Sequence, residues 1–175
     1  MTIYIDKYAE NDIDELYTVV LDSAEHLRPW MPWLHSNYTL DDTRIWVEKC
    51  IEDWSQCVAY RYLIRSSDSG EIVGSVGLER IVHAHKIAEL GYWVASKAIN
   101  RGVATAAGKL ALYQAFKVHS INRIEINVLT NNVSSNKVAV KIGGLLEGTL
   151  RNKLFHDGRS NLANSYSVIP EDYGI

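Results

Sequence analysis

The sequence is poor in the residues that mark several protein classes. It has three prolines (Pro29, Pro32 and Pro170), two cysteines (Cys50 and Cys57), two phenylalanines and two methionines. Two cysteines do not make the disulfide framework of a small secreted domain. Met1 to Asp6 lacks the basic segment and apolar run of a secretory leader. The expectation is therefore reduced thiols in a cytoplasmic protein. No apolar run approaches the roughly 20 residues that cross a bilayer, so no membrane partner is expected. The net charge of -3 excludes a broad phosphate-binding surface, which needs clustered Lys and Arg. Direct nucleic-acid binding is thus not expected. A ribosomal partner stays open, because an enzyme can touch protein rather than RNA. Neither a low-complexity linker nor an internal repeat is found.

What is present is an ordinary globular composition, 47% hydrophobic and 22% charged over 175 residues. That length suits one domain, residues 1–175, with a real core. Strand-like and helix-like segments alternate, which points to a mixed α/β (α+β) domain. Thr2 to Tyr8 reads as a strand. Asn11 is placed to cap a helix whose apolar positions Ile13, Leu16, Tyr17, Val20, Ala24 and Leu27 follow the 3.6-residue period, and Pro29 stops it. Thr39 to Asp42 has the form of a capping box, opening a helix through Ile45, Trp46, Lys49 and Trp54. Strands over Cys57 to Ser66 and Glu71 to Ile81 flank the turn residues Ser67 to Gly70 and make an antiparallel hairpin. Ile87 to Ala95 and Arg123 to Leu129 are further strands, separated by a helix over Val103 to Val118. A helix over Ser134 to Ile142 precedes closing strands at Leu145 to Leu154 and Asn164 to Ile169.

Two stretches carry chemistry. The first is Glu89-Leu90-Gly91-Tyr92-Trp93-Val94, then Asn100-Arg101-Gly102-Val103-Ala104-Thr105, a strand followed by a glycine turn and a helix start. Free N–H groups and the dipole at a helix N-terminus favour an anion. Gly102 lets the backbone approach a phosphate, although a glycine at a helix start also serves as a plain turn. The second runs from Asn132-Val133-Ser134-Ser135-Asn136 through Lys141-Ile142-Gly143-Gly144 to Glu147-Gly148, about 17 residues. By itself Asn132 or Ser134 is equally a helix cap.

Together these stretches resemble the GNAT superfamily of N-acetyltransferases, nearest to the ribosomal-protein enzymes of the RimJ/RimL type. The first is similar to the family's Gln/Arg-x-x-Gly-x-Gly/Ala loop around the pyrophosphate of coenzyme A, with Gly102 and Ala104 at the last two fixed positions and Ile99 at the first. The second is similar to its Asn-x-x-Ser…Lys-x-Gly-Phe…Glu-Gly block, with Gly144 where Phe is usual. The resemblance implies a mixed, mostly antiparallel sheet of about seven strands, splayed at the cofactor site and flanked by about four helices. It assigns Trp93, Val94, Asn100, Arg101, Gly102, Val103, Ala104, Thr105, Asn132, Ser135 and Lys141 to acetyl-CoA, with Ser135 near the thioester sulfur. No metal is implied; His83 and His85, two apart as on a strand, lack an evident third ligand.

His26 to Leu34 resembles a Leu-x-x-Trp-Met-x-Trp segment at the acceptor site of RimJ/RimL enzymes, which puts Trp30 and Trp33 on the acceptor; a core tryptophan pair is the other reading. Phe155 to Arg159 and Tyr166-Ser167 resemble the family's closing hairpin, with Leu162 in place of an Asp. Ala139 stands where many members carry a catalytic Tyr, so Ser135 is left to hydrogen-bond the departing thiolate, an electrostatic role. Glu89 is the candidate base through a water, or else a rim salt bridge.

The implied reaction is transfer of an acetyl group from acetyl-CoA to a primary amine, first of all the N-terminal α-amine of a ribosomal or other protein. A small-molecule amine (antibiotic, polyamine or amino acid) and a non-catalytic acyl-CoA-binding module are the alternatives. A homodimer is left open.

Overall fold

Alternation along the chain becomes seven strands and five helices. The structure, a computed structural model, describes residues 1–174. In order they are β1 (Ile3–Lys7), α1 (Ile13–Asp22), α2 (Ala24–Leu27), α3 (Leu40–Ser55), β2 (Tyr60–Ser66), β3 (Ile72–Val82), β4 (Ile87–Val94), α4 (Val103–Lys117), β5 (Arg123–Leu129), α5 (Val133–Lys141), β6 (Leu145–His156) and β7 (Arg159–Val168). The strands form one sheet in the order β1-β2-β3-β4-β5-β7-β6. Every neighbouring pair is antiparallel except β4 and β5, which run parallel across the α4 crossover.

The sheet is covered on both faces. Alternate side chains of β2 go to opposite layers, as the two-residue strand period requires. Tyr60, Tyr62 and Ile64 join the core under α4, with Ala107, Ala111 and Leu112. Leu63 faces the other way, into a core with Leu16 and Val20 of α1 and Val47 and Cys50 of α3. Arg61 and Arg65 take that same face but reach carboxylates. Arg65 meets Asp12 at 2.5 Å, and Arg61 meets Asp53 at 2.6 Å and Glu79 at 2.7 Å. Pairing is what makes these largely buried charges tolerable. Among the described residues no helix is long and apolar enough to cross a membrane.

The capping box at Thr39 forms: its N–H donates to Asp42 at 2.8 Å, and Asp42 N–H returns a 3.4 Å bond to its hydroxyl. Elsewhere the structure corrects the local reading. Asn11 does not cap; it sits inside a short 3-10 turn, and the N-cap residue of α1 is Asp12, whose carboxylate is spent on Ala9 N–H and Arg65. The helix expected up to Leu27 breaks at Ser23, whose hydroxyl accepts from Ser96 N–H at 3.0 Å. β2 starts at Tyr60 rather than Cys57, because Val58 N–H still bonds Asp53 at the end of α3. β7 begins five residues earlier than expected, at Arg159, after the two-residue turn Asp157-Gly158 with positive φ at both positions. His83 and His85 lie in a 3-10 turn, not on a strand, and His83 Nε2 is bonded to the Cys57 carbonyl.

Candidate active site

The parallel pair that closes the sheet is also where it opens. β4 and β5 share only Ile87↔Arg123, Ala88↔Ile124 and Glu89↔Glu125. Beyond Glu89 the strands part, leaving Leu90 to Val94 and Ile126 to Leu129 unpaired with one another. A cleft of about 730 Å³ fills the gap. Its walls are Leu90 to Trp93 on β4, Ile126 to Leu129 on β5, Asn132 and Ser135 at the start of α5, Trp30 to Trp33, and Leu154 to His156 of the β6–β7 hairpin.

Strand alternation sorts the residues around the gap by face. Ala88, Leu90, Val94, Ile124, Ile126 and Val128 enter the core under α4 and α5. Trp93 takes the opposite face and packs with the core that holds α1 and α3; its ring is 6.3 Å from that of Trp33. Its side chain therefore belongs with Trp33 to that wall of the cleft. Trp30 is stacked on His156, 6.4 Å between rings at 12°. Both tryptophans picked from the sequence thus stand at the cleft.

Asn132 performs the capping role that its residue type allows: its Oδ1 accepts from Ser135 N–H at 3.1 Å. Its Nδ2 finds no partner among the described residues, so capping α5 leaves a donor for a ligand. Asn136, unnoticed in the sequence, fixes α5 in place. Its Nδ2 donates to the Leu129 and Asn132 carbonyls at 3.0 and 2.8 Å, while its Oδ1 accepts from Asn164 and Tyr166 at 2.8 and 2.9 Å. Gly144 has no room for the usual aromatic, since a Cβ there would meet the Ala139 carbonyl at 2.7 Å. Tyr173 supplies an anchor instead, packing beside Gly143 and Phe116 and donating to the Ile142 carbonyl.

Residues 100–105 do not line that cleft; they follow β4 in the chain, where Gly102 is the N-cap of α4 with φ +77 and makes no side-chain cap bond. The N–H groups of Val103, Ala104 and Thr105 are consequently left at an uncapped helix start. The Val103 side chain is buried in the core, so the backbone is what it can offer an anion. Asn100, at φ +59, and Arg101 are exposed in the same loop. Lys141 does not join them. It is exposed at the far end of α5, beside Lys137 and away from the cleft.

Glu89 lies where the strands begin to part but is already engaged. Its carboxylate meets Arg80 at 2.5 Å and Lys153 at 4.0 Å. Two residues that sequence reasoning missed complete the site. Tyr92 reaches from β4 to α5, its Oη 2.9 Å from Ser135 Oγ; burial pushes its phenol up to about 12 despite the lowering effect of that bond. Asn127 lines the cleft with both ends of its carboxamide buried and unpartnered. Tyr92 lies inside the Glu89–Val94 stretch but was given no role there, and Asn127 carried no motif signal. A β-strand Asn and a Tyr beside a Trp are commonplace in sequence.

A parted parallel strand pair and an Asn-x-x-Ser turn share one cleft, and the strand β4 leads on to a helix start with free N–H groups. The acetyltransferase (GNAT) domain family matches residues 3–144 of this chain. The chain belongs to that family. It is therefore an acetyltransferase, and acetyl-CoA is the donor that these enzymes use. The ribosomal-protein-serine acetyltransferase of Escherichia coli (strain K12) is 26% identical over 161 residues, 92% of this chain and 89% of its own. RimL, a ribosomal L7/L12 α-N-protein acetyltransferase solved in complex with coenzyme A, has the same fold, with TM-score 0.89, 23% identity and coverage of 97% and 94%. The microcin C7 self-immunity acetyltransferase MccE, solved with acetyl-CoA and AMP, aligns with TM-score 0.84, 25% identity and coverage of 95% and 92%.

Proposed function

We propose that this acetyltransferase acts on the N-terminal α-amine of a peptide or protein, with a ribosomal protein as the first candidate. The observation that carries this reading is that the carboxylates at the cleft are committed. Glu79 is held by Arg61 and Asp42 by the Thr39 cap, and Glu89, where the strands begin to part, by Arg80 and Lys153. A cleft without a free carboxylate base favours an amine that is easily deprotonated. An α-amine of pKa about 7.8 costs only about 1 kcal/mol to neutralise at pH 7, whereas a lysine at about 10.4 costs about 4.6 kcal/mol. A polyamine, which needs anionic walls, is disfavoured on the same ground.

The donor fits the residues present. Asn132 Nδ2 and the backbone of Trp93 and Val94 would hold its arm, and the Gly102–Thr105 turn with Arg101 its phosphates. It supplies an acetyl thioester, which the amine attacks directly. Ser135 hydrogen-bonds the sulfur as charge develops on it. Trp30 and Trp33 flank the incoming chain. Glu89 enters this reading as the charged partner of Arg80 and Lys153 rather than as the base. The imidazoles of His35 and His156, both in the cleft, are the groups left to take the proton released as the amide forms.

The test is mass spectrometry after reaction of acetyl-CoA with peptides that carry both an α-amine and a lysine. Acetyl on the terminus is expected; exclusive lysine labelling would sink the reading. A small amphipathic amine is the second reading, favoured by the aromatic walls and by the likeness to MccE. It wins if such amines turn over while no peptide does.

A further inference from the structure

A serine hydroxyl is a free rotor, and its hydrogen turns to whichever acceptor is nearest. For Ser135 to serve a departing sulfur, something must keep that hydrogen directed into the cleft. The structure contains such a device. Tyr92 leaves β4 just past the last residue that pairs with β5, crosses the gap and ends on the first turn of α5. Its Oη lies 2.9 Å from Ser135 Oγ and 3.2 Å from the Ser135 carbonyl.

Which oxygen donates follows from acidity. The Tyr92 hydrogen has two acceptors, the Ser135 carbonyl at 3.2 Å and Ser135 Oγ at 2.9 Å; a phenol is a stronger acid than an aliphatic alcohol and the hydroxyl contact is the shorter, which favours Tyr92 donating to Ser135 Oγ. The oxygen that accepts keeps its own hydrogen for another partner. Donation into it also polarises that O–H, a cooperative gain of about 10–30% per bond. The serine is thereby turned outward and made a better donor at once.

We propose that Tyr92 is a positioning residue for acetyl transfer: it fixes the Ser135 hydroxyl so that its hydrogen meets the sulfur leaving the thioester. The inference rests on the Ser135 role given above. The step moves no proton along the pair. The N–C bond forms as the C–S bond breaks, the electron pair stays on sulfur, and the amine proton departs on the acceptor side. A thiol is far more acidic than an alcohol, about 8.5 in cysteine, so a thiolate can leave unprotonated. A phenol held at about 12 is too weak an acid to protonate it, which leaves orientation and polarisation as its contribution.

A double-mutant cycle tests this. Tyr92→Phe removes one oxygen and keeps the ring, so packing in the gap is retained. Steady-state kinetics of Tyr92→Phe, Ser135→Ala and the double variant are compared at saturating acetyl-CoA and peptide. Tyr92→Phe is expected to lower kcat about 3- to 10-fold, the worth of one neutral hydrogen bond, with KM for acetyl-CoA unchanged. Ser135→Ala is expected to lose more, and the double variant to be no slower than Ser135→Ala alone. Multiplicative losses in the double variant overturn the link between the two hydroxyls, as does a Tyr92→Phe effect confined to KM. Full kcat in Ser135→Ala would overturn the Ser135 reading itself, an outcome distinct from the other two.

Discussion

Asn127 makes little sense as a stabilising residue. Both of its amide atoms are buried without a protein partner, and a buried unpaired polar group costs about 1–3 kcal/mol. It lines the cleft two residues past Glu125, the last residue of β5 that pairs with β4. A carboxamide offers a donor and an acceptor side by side, which suits the amine and first carbonyl of a peptide. Asn127→Leu is thus expected to melt at or above the parent temperature while KM for a peptide acceptor rises at least about fivefold, roughly one lost hydrogen bond or more. Kinetics and a thermal melt on the same preparation decide it; a lower melting temperature with unchanged KM assigns the amide to the fold. The places of Asn132 and Ser135 on the cleft were legible in the sequence because they sit in a spaced motif. Asn127 and Tyr92 were not, since their roles depend on where two strands part and on which face each side chain takes, and a one-residue slip reverses the second. Glu89 was legible as a carboxylate on the right strand. Its two cations come from β3 and β6, and no local pattern announces them.

The elements were legible where their signals are local. The Thr39–Asp42 box, the Ser67–Gly70 turn and the α4 crossover formed as their residues imply. The break at Ser23 was invisible, because the apolar period continues through it to Ala24 and Leu27; the cause is a hydrogen bond from Ser96, 73 residues away. Between β2 and α4 another long-range cluster formed. His119, just after α4, stacks on Tyr60 at 3.5 Å between rings, bonds the Tyr62 hydroxyl at 2.9 Å and meets the edge of Trp54. Burial, and after it the charge of Lys7, lowers its pKa below the ordinary histidine value. A depressed folded-state pKa means that the unfolded chain takes up the proton first. The stability this cluster gives is full above the ordinary histidine pKa of about 6.5 and is lost as pH falls below it. Denaturant melts between pH 7.5 and 5 should therefore show the parent losing stability on acidification and His119→Phe losing less of it. Equal slopes would place the pH dependence elsewhere.

At the scale of the molecule, three residue pairs join the four strands on one side of the parting to the three on the other, with α4 and α5 spanning beneath. This is an incomplete sheet with an inner edge, and its thermodynamic consequence reaches beyond the chemistry. A donor bound between the strands occupies the missing rung in the folded state only, so its free concentration becomes a term in the folding equilibrium. At 100 times its dissociation constant it adds about 2.7 kcal/mol. For a chain of this length that corresponds to a melting point about 5–10 °C higher. A thermal titration with acetyl-CoA should give that rise, and a flat response would mean that the folded chain does not bind the donor. The protein's tolerance of heat is then not fixed by its sequence alone: it hardens where acetyl donor is plentiful and softens where the supply runs down.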